Sequence, residues 1–367
     1  MGNRQGTIGG YLRAHLQAAG SLVMVRNARI VCMDTIVVIW EPMMPTNIES
    51  VRGPMQIGDL GHVLMHEHVF IVNADILQNY PDHWDKKKRI ADAIAKLTAA
   101  KAAGIDTIVD PTVVGLGRYI PWIQEVNAAV DINIIAATGL YTFHDLPHFF
   151  EFRGPGTIFD GPDPMIELFV RDIKEGIADT GVKAAFLKCV IEEAGLVPGV
   201  ERIATAVAET HKETGAPITV HTNSEHETGR LAIEHFKKLG VDLTKVVIGH
   251  AGDSTNVDYL KFIGDSGAII GCDRFGLDLY CTTAERVSTI AALCKDGYAD
   301  RIVLAHDVSC YLDYFPGDEA QAAAAQFMPN WHLLHIPNDV LPALREAGVS
   351  DDQIQQMMVT NPQRYFA

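Results

Sequence analysis

Eight short apolar runs recur along this chain, and the stretches between them carry apolar residues at i, i+3 and i+4. The runs are GHVLMHEH (61–68), DTIVDPT (106–112), INIIAATGLY (132–141), KAAFLKCV (183–190), PITVHT (217–222), KVVIGH (245–250), GAIIGCD (267–273) and RIVLAHD (301–307). The intervening stretches include RIADAIAKLTAAKAAG, VERIATAVAETHKETG, RLAIEHFKKLG and ERVSTIAALCKDG. Several close on glycine, the residue favoured just past a helix end. Strands that read as near-continuous apolar runs are buried on both faces, hence parallel and covered by helices. Eight such units predict an α/β fold, a closed (β/α)8 TIM barrel. A doubly wound open sheet is the alternative, but no GxGxxG follows the first run.

The 367 residues suffice for one such barrel. We assign 44–367 to a single (β/α)8 domain. Residues 1–43 read as an N-terminal extension that fits no later pattern, the alternative being an extra strand pair packed on the barrel. The apolar part of that segment, GSLVMVRNARIVCMDTIVVIW, is interrupted by two arginines and an aspartate, so no membrane span is expected. A net charge of −16 without a long basic run argues against nucleic acid as a partner. The six cysteines form no CxxC pair and read as free thiols of a reducing compartment, which points to the cytoplasm.

The polar residues of the apolar runs gather at their C-terminal ends, and in a (β/α)8 barrel that end forms the active-site face. HEH ends the first run, LK lies near the end of the fourth, VHT ends the fifth, IGH the sixth, CDR the seventh and AHD the eighth. His66 and His68 are i and i+2, so on a strand both face one side, while Glu67 faces the helix layer and reads as structural. The HxH spacing excludes the helical HExxH arrangement. His66, His68, His221, His250 and Asp307 make four imidazoles and a carboxylate, borderline ligands for Zn, Co, Mn or Fe. That set exceeds what one open tetrahedral zinc needs and suits two metals about 3.5–4 Å apart. Lys188 is the anomaly, since an ammonium beside two cations would be repelled. It reads either as a strand-end lysine reaching water or as a lysine carboxylated by carbon dioxide, a carbamate anion able to bridge two ions.

This combination resembles the phosphotriesterase family of the amidohydrolase superfamily over roughly residues 50–367. GCDRFGLD, ATGLYTF and VVGLGRYIPW are similar to its phosphotriesterase-like lactonase branch. The resemblance implies a carboxylated Lys188 bridging two divalent ions, with His66, His68 and Asp307 on the buried ion and His221 and His250 on the exposed one. It also implies a homodimer. The activity it implies is metal-dependent opening of lactones, N-acyl-homoserine lactones and related γ/δ-lactones, of the quorum-quenching type with promiscuous organophosphate hydrolysis. A dedicated phosphotriesterase, an aryldialkylphosphatase, is the alternative. A single-metal amidase or deaminase typically lacks the lysine of the fourth strand, and a scaffold on a dead barrel would have no reason to fill every ligand position.

Asp307 is placed to take a proton from the attacking water and return it to the leaving alkoxide. The resemblance puts Tyr141 near the metals as a hydrogen-bond donor to a small-molecule substrate. Arg274 reads either as the edge of the lactone pocket or as a loop-fixing ion pair. Tyr314, with Phe315 and Trp331, belongs to the long segment after the eighth run, which reads as a lid over an acyl chain or a helix at a dimer contact. Ser309 and Phe143 stand where some lactonase relatives would carry cysteine and tyrosine. His211, His226 and His235 read as solvated surface residues, His332 and His335 as structural, and His62 as near the barrel bottom. His306 faces away from the metals, a buttress for the helix layer or for a metal ligand.

Overall fold

The computed structural model describes residues 46–367. The 1–43 extension and the domain start at 44 lie outside the described residues. Strands β1 (Asn47–Ser50) and β2 (Gly53–Gln56) form an antiparallel hairpin ahead of the barrel. The eight predicted runs then contribute β3 (Val63–Leu64), β5 (Thr107–Asp110), β6 (Asn133–Gly139), β7 (Phe186–Ile191), β8 (Ile218–Thr222), β9 (Val246–Gly249), β10 (Ile269–Cys272) and β11 (Ile302–Leu304). They pair in chain order, each neighbour parallel. Two backbone hydrogen bonds close the ring between its first and last members, Met65 N to Leu304 O at 3.0 Å and Asp307 N to His66 O at 3.0 Å.

Two strands differ from expectation. The first run does not continue as one strand through HEH. It bends at Met65–His66 and resumes as β4 (His68–Ile71), which pairs in parallel with β12 (Ser309–Leu312), the resumption of the eighth run. The bend arises because the backbone changes partners: Met65 N bonds to β11, while Glu67 N bonds to Val109 O at 2.9 Å and His68 N to Val308 O at 2.9 Å. His66 therefore reaches the centre from the bend and His68 from the start of β4, not both from one face of one strand.

The helices follow the predicted stretches, among them Lys86–Ala102, Pro198–Thr214, Thr228–Lys238 and Thr283–Lys295. Helix Pro198–Thr214 opens with proline in its first turn and stops at Gly215, whose φ of 75° is left-handed and whose N–H donates to His211 O. Helix Thr283–Lys295 opens on a capping box between Thr282 and Glu285. Two apolar layers result. One fills the barrel interior, where Val63, Met65, Val109, Ile135, Phe186, Val247, Ile269 and Val303 meet Ile48 of the hairpin and Tyr365 and Phe366 of the C-terminus. The other lies between strands and helices. Burying a side chain such as Phe186 contributes about 1.5–3 kcal/mol, so the interior below the polar strand ends is a packed floor.

His211 and His235 are corrections. Both are buried, because they sit on the inward faces of their helices with a ring nitrogen satisfied locally: His211 Nδ1 on Ala216 O at 2.9 Å and His235 Nε2 on Thr205 Oγ1 at 3.2 Å. His226 is exposed and His62 lies exposed before β3, as expected. Cys189, Cys272, Cys281, Cys294 and Cys310 are buried free thiols. Among the described residues no helix is long and apolar enough to cross a membrane.

Candidate metal centre

The strand ends bring all the predicted ligands together. Asp307 Oδ1 lies 3.4 Å from His66 Nε2 and 3.3 Å from His68 Nε2, and Asp307 Oδ2 lies 3.9 Å from His250 Nε2. Lys188 Nζ lies 3.3 Å from His66 Nε2, and His250 Nε2 lies 3.0 Å from His221 Nδ1. Among the described residues, donor atoms of His66, His250 and Asp307 all lie within 4.8 Å of one another. This triad crosses the division between buried and exposed ion that the resemblance implies.

Each imidazole is oriented by a partner behind it. Asp273 Oδ2 sits 3.0 Å from His66 Nδ1, and its Oδ1 lies 2.9 Å from His250 Nδ1 and accepts from His250 N at 2.7 Å. His68 Nδ1 lies 2.7 Å from Thr112 Oγ1, and that hydroxyl donates to Asp110. His221 is turned over, with Nε2 3.0 Å from Glu192 Oε1. Asp273 fits because two glycines leave a slot: a Cβ on Gly271, two residues before it on β10, would stand 2.7 Å from Asp273 Oδ2, and one on Gly249 of the neighbouring β9 would stand 3.2 Å from it. His250 and Asp307 both hold left-handed backbone, with φ of 65° and 55°. Aspartate and histidine tolerate this region better than most residues, yet it costs on the order of 1–3 kcal/mol and persists only where surroundings enforce it.

The electrostatics favour ligand forms. Burial pushes His66 and His250 below the usual imidazole range, and His221 down to about 4, so all three are neutral. Burial alone would raise Asp307; protonated His250 and His66, a hydrogen bond from His68 and the Arg274 guanidinium all lower it, and with the imidazoles neutral the Arg274 ion pair is what keeps it ionised. The hydrogen bond from His221 takes Glu192 down to about 2. Asp273 is likewise ionised: burial opposes this, and the His66 ring and its hydrogen bond outweigh burial. Ionised carboxylates only accept, so His66 and His250 carry their protons on Nδ1 and His221 on Nε2. The bare lone pairs of His250 Nε2 and His221 Nδ1 then meet at 3.0 Å, an arrangement that is repulsive unless one cation accepts both. The donor set therefore fits a divalent ion. Lys188 is buried and its ammonium is disfavoured to about 8, chiefly by desolvation, with Asp307 and Asp273 opposing. It does not reach water, which removes the plainer of its two readings.

Tyr141 stands edge-on to His221, ring centroids 5.5 Å apart, and burial then Asp307 raise its hydroxyl above the usual phenol range, so it stays a donor. Phe143 packs tilted against the same imidazole at 5.8 Å. Arg274 makes the ion pairs of the loop-fixing reading, Nε to Asp307 Oδ2 at 3.0 Å and Nη1 to Asp253 Oδ2 at 3.2 Å, and it also lines the cavity. Asp253 holds Arg286 as well. Tyr314 lies exposed at the mouth. The cavity above the centre measures about 260 Å³, with apolar walls from Ile71, Leu116, Leu277 and Met328. Beside it a cavity of about 220 Å³ runs under helix Gly317–Phe327, and the two share Ser309, Leu312, Phe315, Met328 and Trp331.

His306 and Glu67 turn away from the centre and pair with each other, Nδ1 to Oε1 at 2.6 Å. His335 is buried on Thr283 and Asp339, in keeping with a structural role. Asp273, Thr112, Asp110 and Glu192 were not identified from sequence. Their signal was present, since each is a polar residue at or just past the end of an apolar run.

A sequence profile of the Phosphotriesterase family matches residues 46–366. A phosphotriesterase homology protein of Mycobacterium tuberculosis is 52% identical over 320 residues, covering 87% of this chain and 97% of its own. An aryldialkylphosphatase of Saccharolobus solfataricus is 37% identical over 309 residues, covering 84% and 96%. The solved structure of the phosphotriesterase from Mycobacterium tuberculosis superposes with a TM-score of 0.85 at 52% identity, covering 87% of this chain and 98% of that one. The chain, a TIM barrel with a His/Asp cluster at its strand ends, belongs to the phosphotriesterase family.

Proposed function

We propose that the protein opens lactones, N-acyl-homoserine lactones and related γ/δ-lactones, as a metal-dependent hydrolase with organophosphate hydrolysis as a side activity. The observation that carries this reading is the buried Lys188 amine held beside His66 and Asp307 beneath a cavity with apolar walls. His66, His68 and Asp307 would hold one divalent ion and His221 and His250 a second, with Lys188 as a carbamate between them. Carbamate formation needs the free amine. At pH 7 a lysine near its ordinary value is less than about 0.1% unprotonated, whereas one near 8 is unprotonated to roughly a tenth. Divalent ions bound there would supply a water ionised near neutral pH and a Lewis acid for the substrate oxygen.

The chain's own groups do the rest. Asp307 accepts the proton of the attacking water and returns it to the leaving alkoxide. Tyr141 donates a hydrogen bond to the substrate's polar end, and Arg274 keeps Asp307 ionised and fixes the pocket edge. The cavity above the centre and its neighbour beneath helix Gly317–Phe327 together suit an extended acyl chain and support the lactone over a compact triester. The second reading, a dedicated phosphotriesterase, is favoured by the relative named aryldialkylphosphatase. kcat/KM on cobalt-loaded protein separates them: a series of acyl-homoserine lactones outrunning paraoxon by orders of magnitude supports the lactonase, and the reverse order overturns it.

A further inference from the structure

We propose that Glu67 is a positioning residue for this centre: its carboxylate clasps the backbone on both sides of Asp307 and holds Asp307 turned toward the imidazoles. Glu67 Oε1 accepts from His306 N at 2.8 Å, and Oε2 accepts from Val308 N at 3.1 Å. The residue between has a φ of 55° and donates its own N–H to His66 O at 3.0 Å. Every N–H from 306 to 308 is thus bonded to residues 66–67. A left-handed aspartate at a strand end needs such enforcement; burial raises the Glu67 carboxyl well above the usual carboxylate range, yet three N–H groups converge on its two oxygens, and a side chain with an acceptor at each position meets them where one with a single acceptor does not.

The clasp is anchored from outside. His306 Nδ1 donates to Glu67 Oε1, and its Nε2 accepts from Ile336 N at 3.0 Å. Trp331 Nε1 donates to His306 O at 2.9 Å. Glu67 is fully buried with both oxygens used in this way. The HEH segment therefore sends two imidazoles inward and, from the residue between them, fixes the carboxylate that faces them.

This inference rests on reading the strand-end cluster as a metal centre, so its test is independent of any substrate. Glu67→Gln and Glu67→Asp are compared with the unaltered protein by cobalt titration against a chelator, by the visible cobalt spectrum and by hydrogen exchange in the metal-free state. Glu67→Gln should weaken cobalt binding at least about tenfold, change the cobalt spectrum and release the amides of residues 306–308 while those of β11 stay protected. Glu67→Asp, which keeps both oxygens, should recover part of the affinity. Unaltered cobalt affinity and spectrum in a folded Glu67→Gln variant would overturn the proposal. So would rapid exchange of the 306–308 amides in the unaltered metal-free protein, a measurement that decides the matter if the variants do not fold. Failure of the unaltered protein to bind cobalt at all would instead refute the metal centre, leaving the exchange result to judge the clasp.

Discussion

Asp273→Asn should disable one half of the centre while leaving the fold intact. The carboxylate takes three donors: His250 N at 2.7 Å and His250 Nδ1 at 2.9 Å on Oδ1, and His66 Nδ1 at 3.0 Å on Oδ2. Asparagine fills the same slot but offers one acceptor oxygen and one NH2. With its oxygen toward His250, where two donors converge, the NH2 meets His66 Nδ1–H. His66 can escape only by moving its proton to Nε2, which removes the lone pair that faces Asp307 and Lys188. Leaving a buried donor unpaired costs about 1–3 kcal/mol, which is roughly a 5- to 150-fold loss, in line with the about 10–100-fold typical of partners behind metal ligands. Titration with cobalt against a chelator of known affinity should show two sites in the unaltered protein. In the variant the site using His66 should weaken by about 10–100-fold, while the site using His221 and His250 stays within a few-fold. Two sites of unchanged affinity would refute the tautomer argument, and equal weakening of both would refute the assignment of His66 to one of them.

Lys188→Ala should lose most bound metal and activity, with partial return on adding a short-chain carboxylic acid. Two retained ions with full turnover would remove the bridging role. Acid should destabilise the chelated protein: His221 is depressed to about 4 and His306 to about 3, in both cases by burial. Their neutral forms stabilise the fold fully above pH 6.5, and that contribution is lost as pH falls toward 4 and 3. Each adds a slope approaching about 1.4 kcal/mol per pH unit, so a Tm that stays flat from pH 6.5 to 4 would contradict it. A chain begun at Met44 should bind metal and turn over substrate like the full chain, since the family profile starts at residue 46. An insoluble or metal-free product would show that the preceding segment is integral.

All eight barrel strands were legible because each is almost wholly buried and reads as a near-continuous apolar run. What periodicity could not reveal was a change of partner. The bend at Met65–His66 leaves the apolar pattern untouched, and only the hydrogen bonds to Leu304, Val109 and Val308 show it. The candidate ligands could be singled out because titratable groups at the ends of apolar runs are conspicuous. Their partners were less so: Asp273 and Glu192 look like ordinary strand-end acids until the fold brings His66, His250 and His221 against them from other strands. His211 and His235 were misread because a helical histidine whose ring is satisfied by a nearby carbonyl or hydroxyl costs little to bury, and no spacing announces that partner.

The account stands most directly on the number of ions and what joins them. Anomalous diffraction from crystals of cobalt-loaded protein would count them. We expect two peaks about 3.5–4 Å apart, one beside His66, His68 and Asp307 and the other beside His221 and His250, with density beyond Lys188 Nζ reaching both. A single peak, or Lys188 ending at its amine, would contradict the binuclear centre.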